Sequence, residues 1–200
     1  YYFNIVGKYG QFVQKLLKKA AGLDIAVIAP LHGPVLKEAV ASYVEIYDIW
    51  SSGRAEDDGL FVAYASIHGN TAFAAHKMAE LLKAAGVEKV VVSDLCRCDI
   101  HEAVEDAFRY SKAVFAASTY DAGIFTPMYN FLHLLQAKAY QNRKVGLIEN
   151  GSWAPAAAKC MKEMLSGLKD VEIVGQPVSI RSTVKSENIA EMQKLAEALA

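Results

Sequence analysis

Two hundred residues, 53% hydrophobic and 22% charged, describe a globular chain with ample apolar material for a core. Lysine plus arginine (21) nearly cancels aspartate plus glutamate (22), which excludes a general attraction to nucleic acid or to an anionic membrane surface. No apolar run approaches the roughly 18 residues of a membrane span, and three cysteines give no disulfide framework, as expected of reduced thiols in a cytoplasmic protein.

The opening residues Tyr1-Tyr2-Phe3-Asn4 show neither a basic region followed by an apolar stretch nor an initiator methionine. They read as the start of a fragment or processed product without a secretory signal. Phe12, Val13, Leu16, Leu17 and Ala20 carry helical spacing, and the apolar run Ile25 to Ala29 leads into a loop, Pro30-Leu31-His32-Gly33-Pro34. A second helix is predicted from Val35 to Trp50, with Leu36, Val40, Tyr43, Val44, Tyr47 and Trp50 as its apolar positions. His32, a single imidazole after an apolar run, reads as a structural or loop residue. The apolar faces of residues 1–50 are expected to lack partners. Residues 51–59 are polar and glycine-containing and read as a linker.

From Leu60 a single theme repeats: an apolar run, a loop of small polar residues, then a helical pattern. The predicted strands are Leu60–Ala65, Lys89–Val92, Ala113–Ala117, Val145–Ile148 and Val171–Val174, the last with a possible continuation at Val178–Ile180. The predicted helices are Thr71–Ala85 with Gly86 as its stop, Asp99–Arg109 with Glu102 completing a capping box, Thr126–Ala139, Ala156–Leu168 and Ser186–Leu199. The strands are continuously apolar, so they belong to a parallel sheet covered on both faces, a doubly wound α/β fold. Cys96-Arg97-Cys98, in a predicted loop, is too tight for a zinc or redox pair of the usual spacing.

In such a sheet the ligand lies outside the carboxyl ends of the strands. Ser66-Ile67-His68-Gly69-Asn70-Thr71 follows the first strand and opens a helix: hydroxyls, a glycine and free helix amides make a phosphate cradle. It has neither the lysine of a P-loop nor a GxGxxG turn, so a mononucleotide phosphate held by neutral donors fits best. Ser118-Thr119-Tyr120-Asp121-Ala122-Gly123 follows the third strand, where backbone amides can reach the polar edge of a flat ring and Tyr120 can cover its face. Asn150-Gly151-Ser152-Trp153 follows the fourth, with Pro155 placed to start the next helix. Trp153 either lines a ring site or plugs its loop against the domain.

The segments YASIHGNTAFAA, AASTYDAGIFTPMYNFLHLL and VGLIENGSWAPAAAKCM resemble the C-terminal flavodoxin domain of the flavodiiron proteins, also called A-type flavoproteins. The resemblance spans residues 60–200. It implies a flavodoxin-like five-stranded sheet of order 2-1-3-4-5, with FMN held by Ser66 through Thr71, Ser118 through Gly123 and Asn150 through Trp153. Within the first loop, His68 is expected to be a solvated loop histidine. YYFNIV, GLDIAVIAPLHGPVL and YDIWS are similar to the end of the metallo-β-lactamase-like domain that precedes flavodoxin in that family, which makes residues 1–50 a remnant of it. The resemblance places His32 at the last histidine of the family's diiron site, in the intact protein only. The family's H-x-E-x-D-H cluster is absent, so this chain alone is expected to be iron-free.

The implied function is electron transfer through FMN, from rubredoxin or a flavin or NAD(P)H reductase to a diiron site that reduces oxygen or nitric oxide, within a homodimer of the parent protein. Two other readings share the fold: a free-standing quinone reductase, for which no hydride-donor pocket is evident, and a signalling module, which calls for acidic residues where Tyr64-Ala65-Ser66 stands.

Overall fold

The computed structural model describes residues 1–200. Its centre is a parallel sheet built from β1 (Asp57–Ala65), β2 (Val90–Asp94), β3 (Tyr110–Tyr120), β5 (Arg143–Asn150), β6 (Val171–Ile173) and β7 (Val178–Ile180). A two-residue strand, β4 (Gly123–Ile124), turns back on the end of β3. The order is β2-β1-β3-β5-β6, and β7 also pairs parallel with β5, so β6 and β7 are two halves of one interrupted fifth strand. This is the expected 2-1-3-4-5 arrangement of a flavodoxin-like sheet, including the continuation at Val178–Ile180.

Side chains alternate across a strand, and here both faces are buried. Phe61, Ala63 and Ala65 join one core with Phe115, Phe131 and Met161, while Leu60, Val62 and Tyr64 join the other with Met78, Ile148 and Met192. Helices α4 (Ile100–Arg109), α5 (Thr126–Ala137) and α6 (Ala157–Leu165) cover the first face; α3 (Asn70–Ala84) and α7 (Ser186–Leu199) cover the second. α3 ends as expected, with Gly86 at φ +101° and the Val87 N–H donating to Leu82 O. The capping box of α4 is only half made. Asp99 accepts the His101 N–H at 2.8 Å, and no reciprocal bond comes from Glu102.

The first fifty residues differ from expectation in detail. α1 covers Gly10–Ala20, but α2 (Val40–Ser51) starts five residues later than the apolar spacing suggests. Ile28 and Leu36 exchange both backbone hydrogen bonds across the Pro30–Pro34 loop, and that extended pairing claims the residues ahead of Ala39. Phe12, Leu16, Leu23 and Leu31 are exposed. Tyr2 and Phe3 are buried instead: Phe3 stacks on Phe108 of α4 with centroids 4.5 Å apart, and Tyr2 meets Tyr47 and Trp50.

Asn4 pairs with His101, its Oδ1 3.0 Å from Nδ1 and its Nδ2 donating to the backbone carbonyl at 3.2 Å. The stretch after α2 is fixed as well. The buried Arg143 guanidinium donates to the carbonyls of Gly53, Gln141 and Asn142 at 2.8–3.0 Å, to Arg54 at 3.3 Å, and to Phe108. β1 begins at Asp57, inside the predicted linker, because Asp57 pairs with Tyr110 at the start of β3.

Candidate functional site

The register aligns the three candidate loops. Ala65 is opposite Ala117, and Ser118 is opposite Asn150, so the loops leave adjacent strands at one level. The chain runs from β1 outward to β2 and from β3 outward the other way. The crevice between β1 and β3 is therefore the topological switch point.

In the first loop Gly69 has φ +88°, a left-handed conformation that favours glycine, and an added Cβ there would meet nothing within 4 Å. Ser66 Oγ accepts the Gly69 N–H at 3.1 Å and holds the turn. The amides of Asn70, Thr71 and Ala72, the first turn of α3, find no acceptor in the chain. An open face above a bare helix N-terminus fits an anionic phosphate held by neutral donors. Thr71 itself is buried, its Oγ1 2.8 Å from Ser118 Oγ, so its side chain ties the first loop to the second. Ile67 and His68 are exposed, and His68 makes no side-chain hydrogen bond.

The second loop is a hairpin. Asp121 (φ +49°) and Ala122 (φ +54°) both sit in the left-handed region, the backbone of a tight type I′ turn, with Tyr120 paired to Gly123 and Thr119 to Ile124. The turn lifts Tyr120 out, 53% exposed, with its ring 5.8 Å from Phe125. Thr119 faces the other way and accepts the N–H of Ala156 at 2.9 Å and of Ala157 at 3.3 Å.

The third loop is fixed at its base and open at its tip. Asn150 Nδ2 donates to Ser182 O at 2.8 Å, and the Gly151 N–H donates to Ile180 O at 3.0 Å. Ser152 and Trp153 are exposed, Trp153 at 84%, so this side chain does not plug its loop. Glu149, which carried no signal in the sequence, is buried and accepts the Ala158 N–H at 2.8 Å. Thr119 and Glu149 together occupy the first amides of α6, whereas those of α3 are free. Of these two helix starts, only that of α3 leaves its first amides open to a ligand.

Cys96 was not among the candidates, yet its Sγ lies 3.8 Å from Ser66 O. Partial desolvation of the sulfur pushes its thiol pKa up, although the residue as a whole is exposed. A cleft of about 610 Å³ opens between the hairpin, α5 and α6, among Tyr120, Asp121, Ile124, Tyr129, Cys160 and Met164. It shares the second loop but touches neither the first nor the third, so it flanks the convergence. His32 stands in the exposed bend 31–33, and no three His, Cys, Asp or Glu side chains converge anywhere to hold a metal. The residues of this chain alone do not fit a diiron centre.

Comparison with known proteins places this geometry in context. The Flavodoxin family profile matches residues 62–192. An uncharacterized protein of Methanocaldococcus jannaschii is 22% identical over 200 residues, covering 100% of this chain and 50% of that protein. The anaerobic nitric oxide reductase flavorubredoxin of Escherichia coli is 21% identical over 160 residues, 78% of this chain and 33% of that one. Among solved structures, the rubredoxin oxygen:oxidoreductase of Desulfovibrio gigas superposes with a TM-score of 0.90 at 19% identity, covering all of this chain and 50% of that one. The chain thus spans half the length, or less, of these relatives. No helix is long and apolar enough to cross a membrane.

Proposed function

This chain belongs to the flavodoxin family, and from that premise we propose that residues 60–200 form an FMN-binding electron-transfer domain, with residues 1–50 the end of a preceding domain and 51–59 the joint between them. The observation that carries this reading is the bare first turn of α3 beside two exposed aromatic side chains, Tyr120 and Trp153, at one sheet edge. A phosphate without a lysine partner, and a ring with aromatic neighbours, are what that edge suits.

When bound, FMN supplies the redox chemistry; the protein supplies position and electrostatics. Amides from Ser66 through Thr71 would hold the phosphate. Backbone groups from Ser118 through Gly123 and the loop Asn150 through Trp153 would hold the ring.

In the longer protein, electrons would come from rubredoxin or from a flavin or NAD(P)H reductase. They would go to a diiron site reducing oxygen or nitric oxide, to which His32 adds one ligand. The names of the two relatives, a rubredoxin oxygen:oxidoreductase and a nitric oxide reductase, support this wider reading. A homodimer in the cytoplasm is part of the same proposal.

The test is a visible spectrum of the purified chain after FMN is added and the excess removed. A retained flavin spectrum that bleaches with dithionite is expected. A folded but colourless chain overturns the reading.

A further inference from the structure

We propose that Thr119 is a positioning residue for the flavin ring: its hydroxyl clamps the start of α6 to the end of β3 and so sets where Trp153 stands relative to Tyr120. The inference rests on the reading that these loops hold FMN.

α6 has no cap of its own. Its N-cap residue is Ala156, whose side chain offers no acceptor. Two neighbouring strands supply the acceptors instead, Thr119 from β3 for Ala156 and Ala157, and Glu149 from β5 for Ala158. The Trp153 loop is therefore strung between two fixed points. At one end the Gly151 N–H is held by Ile180 O at 3.0 Å; at the other, Ala156 is held by Thr119 at 2.9 Å.

The space between those points is tight. A Cβ on Gly151 would lie 2.9 Å from Pro155 Cα and 3.2 Å from Thr119 Oγ1. Only residues 152–154 remain free to project, and Trp153 is their one large side chain. Tyr120 follows Thr119 directly in the chain. A single residue therefore carries Tyr120 on its backbone and the base of the Trp153 loop on its side chain. Loss of that hydroxyl leaves the length and composition of both loops unchanged and alters only their separation. Alignment of that kind is what a flat ring between two aromatic side chains depends on.

Three variants of the full chain test this. Thr119→Val keeps the branched shape and removes the acceptor. Thr119→Ser keeps the acceptor. Gly151→Ala leaves the hydroxyl in place but pushes the loop away from it. FMN affinity, from quenching of flavin fluorescence, and the midpoint potential of the bound flavin are read beside the melting temperature of the apoprotein.

Thr119→Val and Gly151→Ala are both expected to weaken FMN binding by about tenfold, and Thr119→Ser by no more than about twofold. Both disruptive variants should also move the potential in the same direction. If Gly151→Ala binds like wild type while Thr119→Val does not, Thr119 acts by touching the cofactor and the positioning role is overturned. If Thr119→Val keeps wild-type affinity and potential, the proposal fails while the FMN reading stands. A wild-type chain that binds no FMN overturns both. Should Thr119→Val not fold, Gly151→Ala against Thr119→Ser decides the same question with the hydroxyl present in each.

Discussion

Thr71 and Ser118 share one hydrogen bond, their hydroxyl oxygens 2.8 Å apart, across two loops that leave different strands. Thr71 is 1% exposed and Ser118 half-buried, so loss of the bond leaves the Thr71 side poorly hydrated. It joins the first turn of α3 to the end of β3 directly beneath the crevice.

Thr71→Val is therefore expected to weaken FMN binding about fivefold and to lower folding stability by ~1 kcal/mol. Flavin titration and urea unfolding measure the two effects. Combined with Ser118→Ala, the second substitution should add little, since the bond is already gone. Fully additive losses would show that the two hydroxyls act separately.

Arg143 is a buried cation without a carboxylate, its two terminal nitrogens held by five backbone carbonyls and its Nε left unpaired. Burial lowers its pKa, with the nearby Tyr140 partly opposing that shift. Arg143→Met removes every donor at once and should cost ~3 kcal/mol or more in urea unfolding. Arg143→Lys, with one nitrogen in place of a fork, should fall between the two. A loss under ~1 kcal/mol for the methionine variant would mean that water replaces the guanidinium.

Phe3→Ala removes the ring stacked on Phe108 and leaves a hole beside Tyr2 and Trp50. A loss of about 3 kcal/mol is expected, with faster amide exchange in α4 and α2. Unchanged exchange in α4 would show that residues 1–9 add nothing to the core.

Asp57 at the start of β1 holds Lys89 at 2.6 Å and accepts the Gly59 N–H at 2.8 Å. The hydrogen bond from Lys89, then that from Gly59, hold its carboxyl below the usual carboxylate range. A depressed folded-state pKa stabilises the fold fully above the unfolded value and loses that contribution as pH falls through the folded one. Asp57→Asn should thus melt slightly below wild type near neutral pH and converge with it in strong acid. A constant gap at every pH would show that the charge is not involved.

What could be read in advance follows from which interactions are local. β1, β3 and β5 are legible because continuous runs such as Leu60–Ala65 have only one stable location, between two helical layers. The α3 cradle is legible because glycine and hydroxyls adjoin the predicted helix start. The hairpin at Asp121–Ala122 was hidden, since Asp121 suits the first left-handed position but Ala122 stands at the second, where glycine is the usual signal. Thr119 as a cap for α6 was hidden for another reason: its partners are 37 and 38 residues away. Glu102 shows the converse. The spacing for a reciprocal cap is present, and Asp99 alone makes it.

Arg143 opens β5 and Asn150 closes it, so the clasp on Gly53 and the third loop lie at opposite ends of one strand. At about 3.3 Å per residue, roughly 23 Å of sheet separates them. The clasp on Gly53 is thus made at the far end of β5 from the aromatic edge. A change at the Gly53 clasp therefore pulls on the opposite end of β5 from the third loop, as in a tool whose handle and blade are fitted at opposite ends.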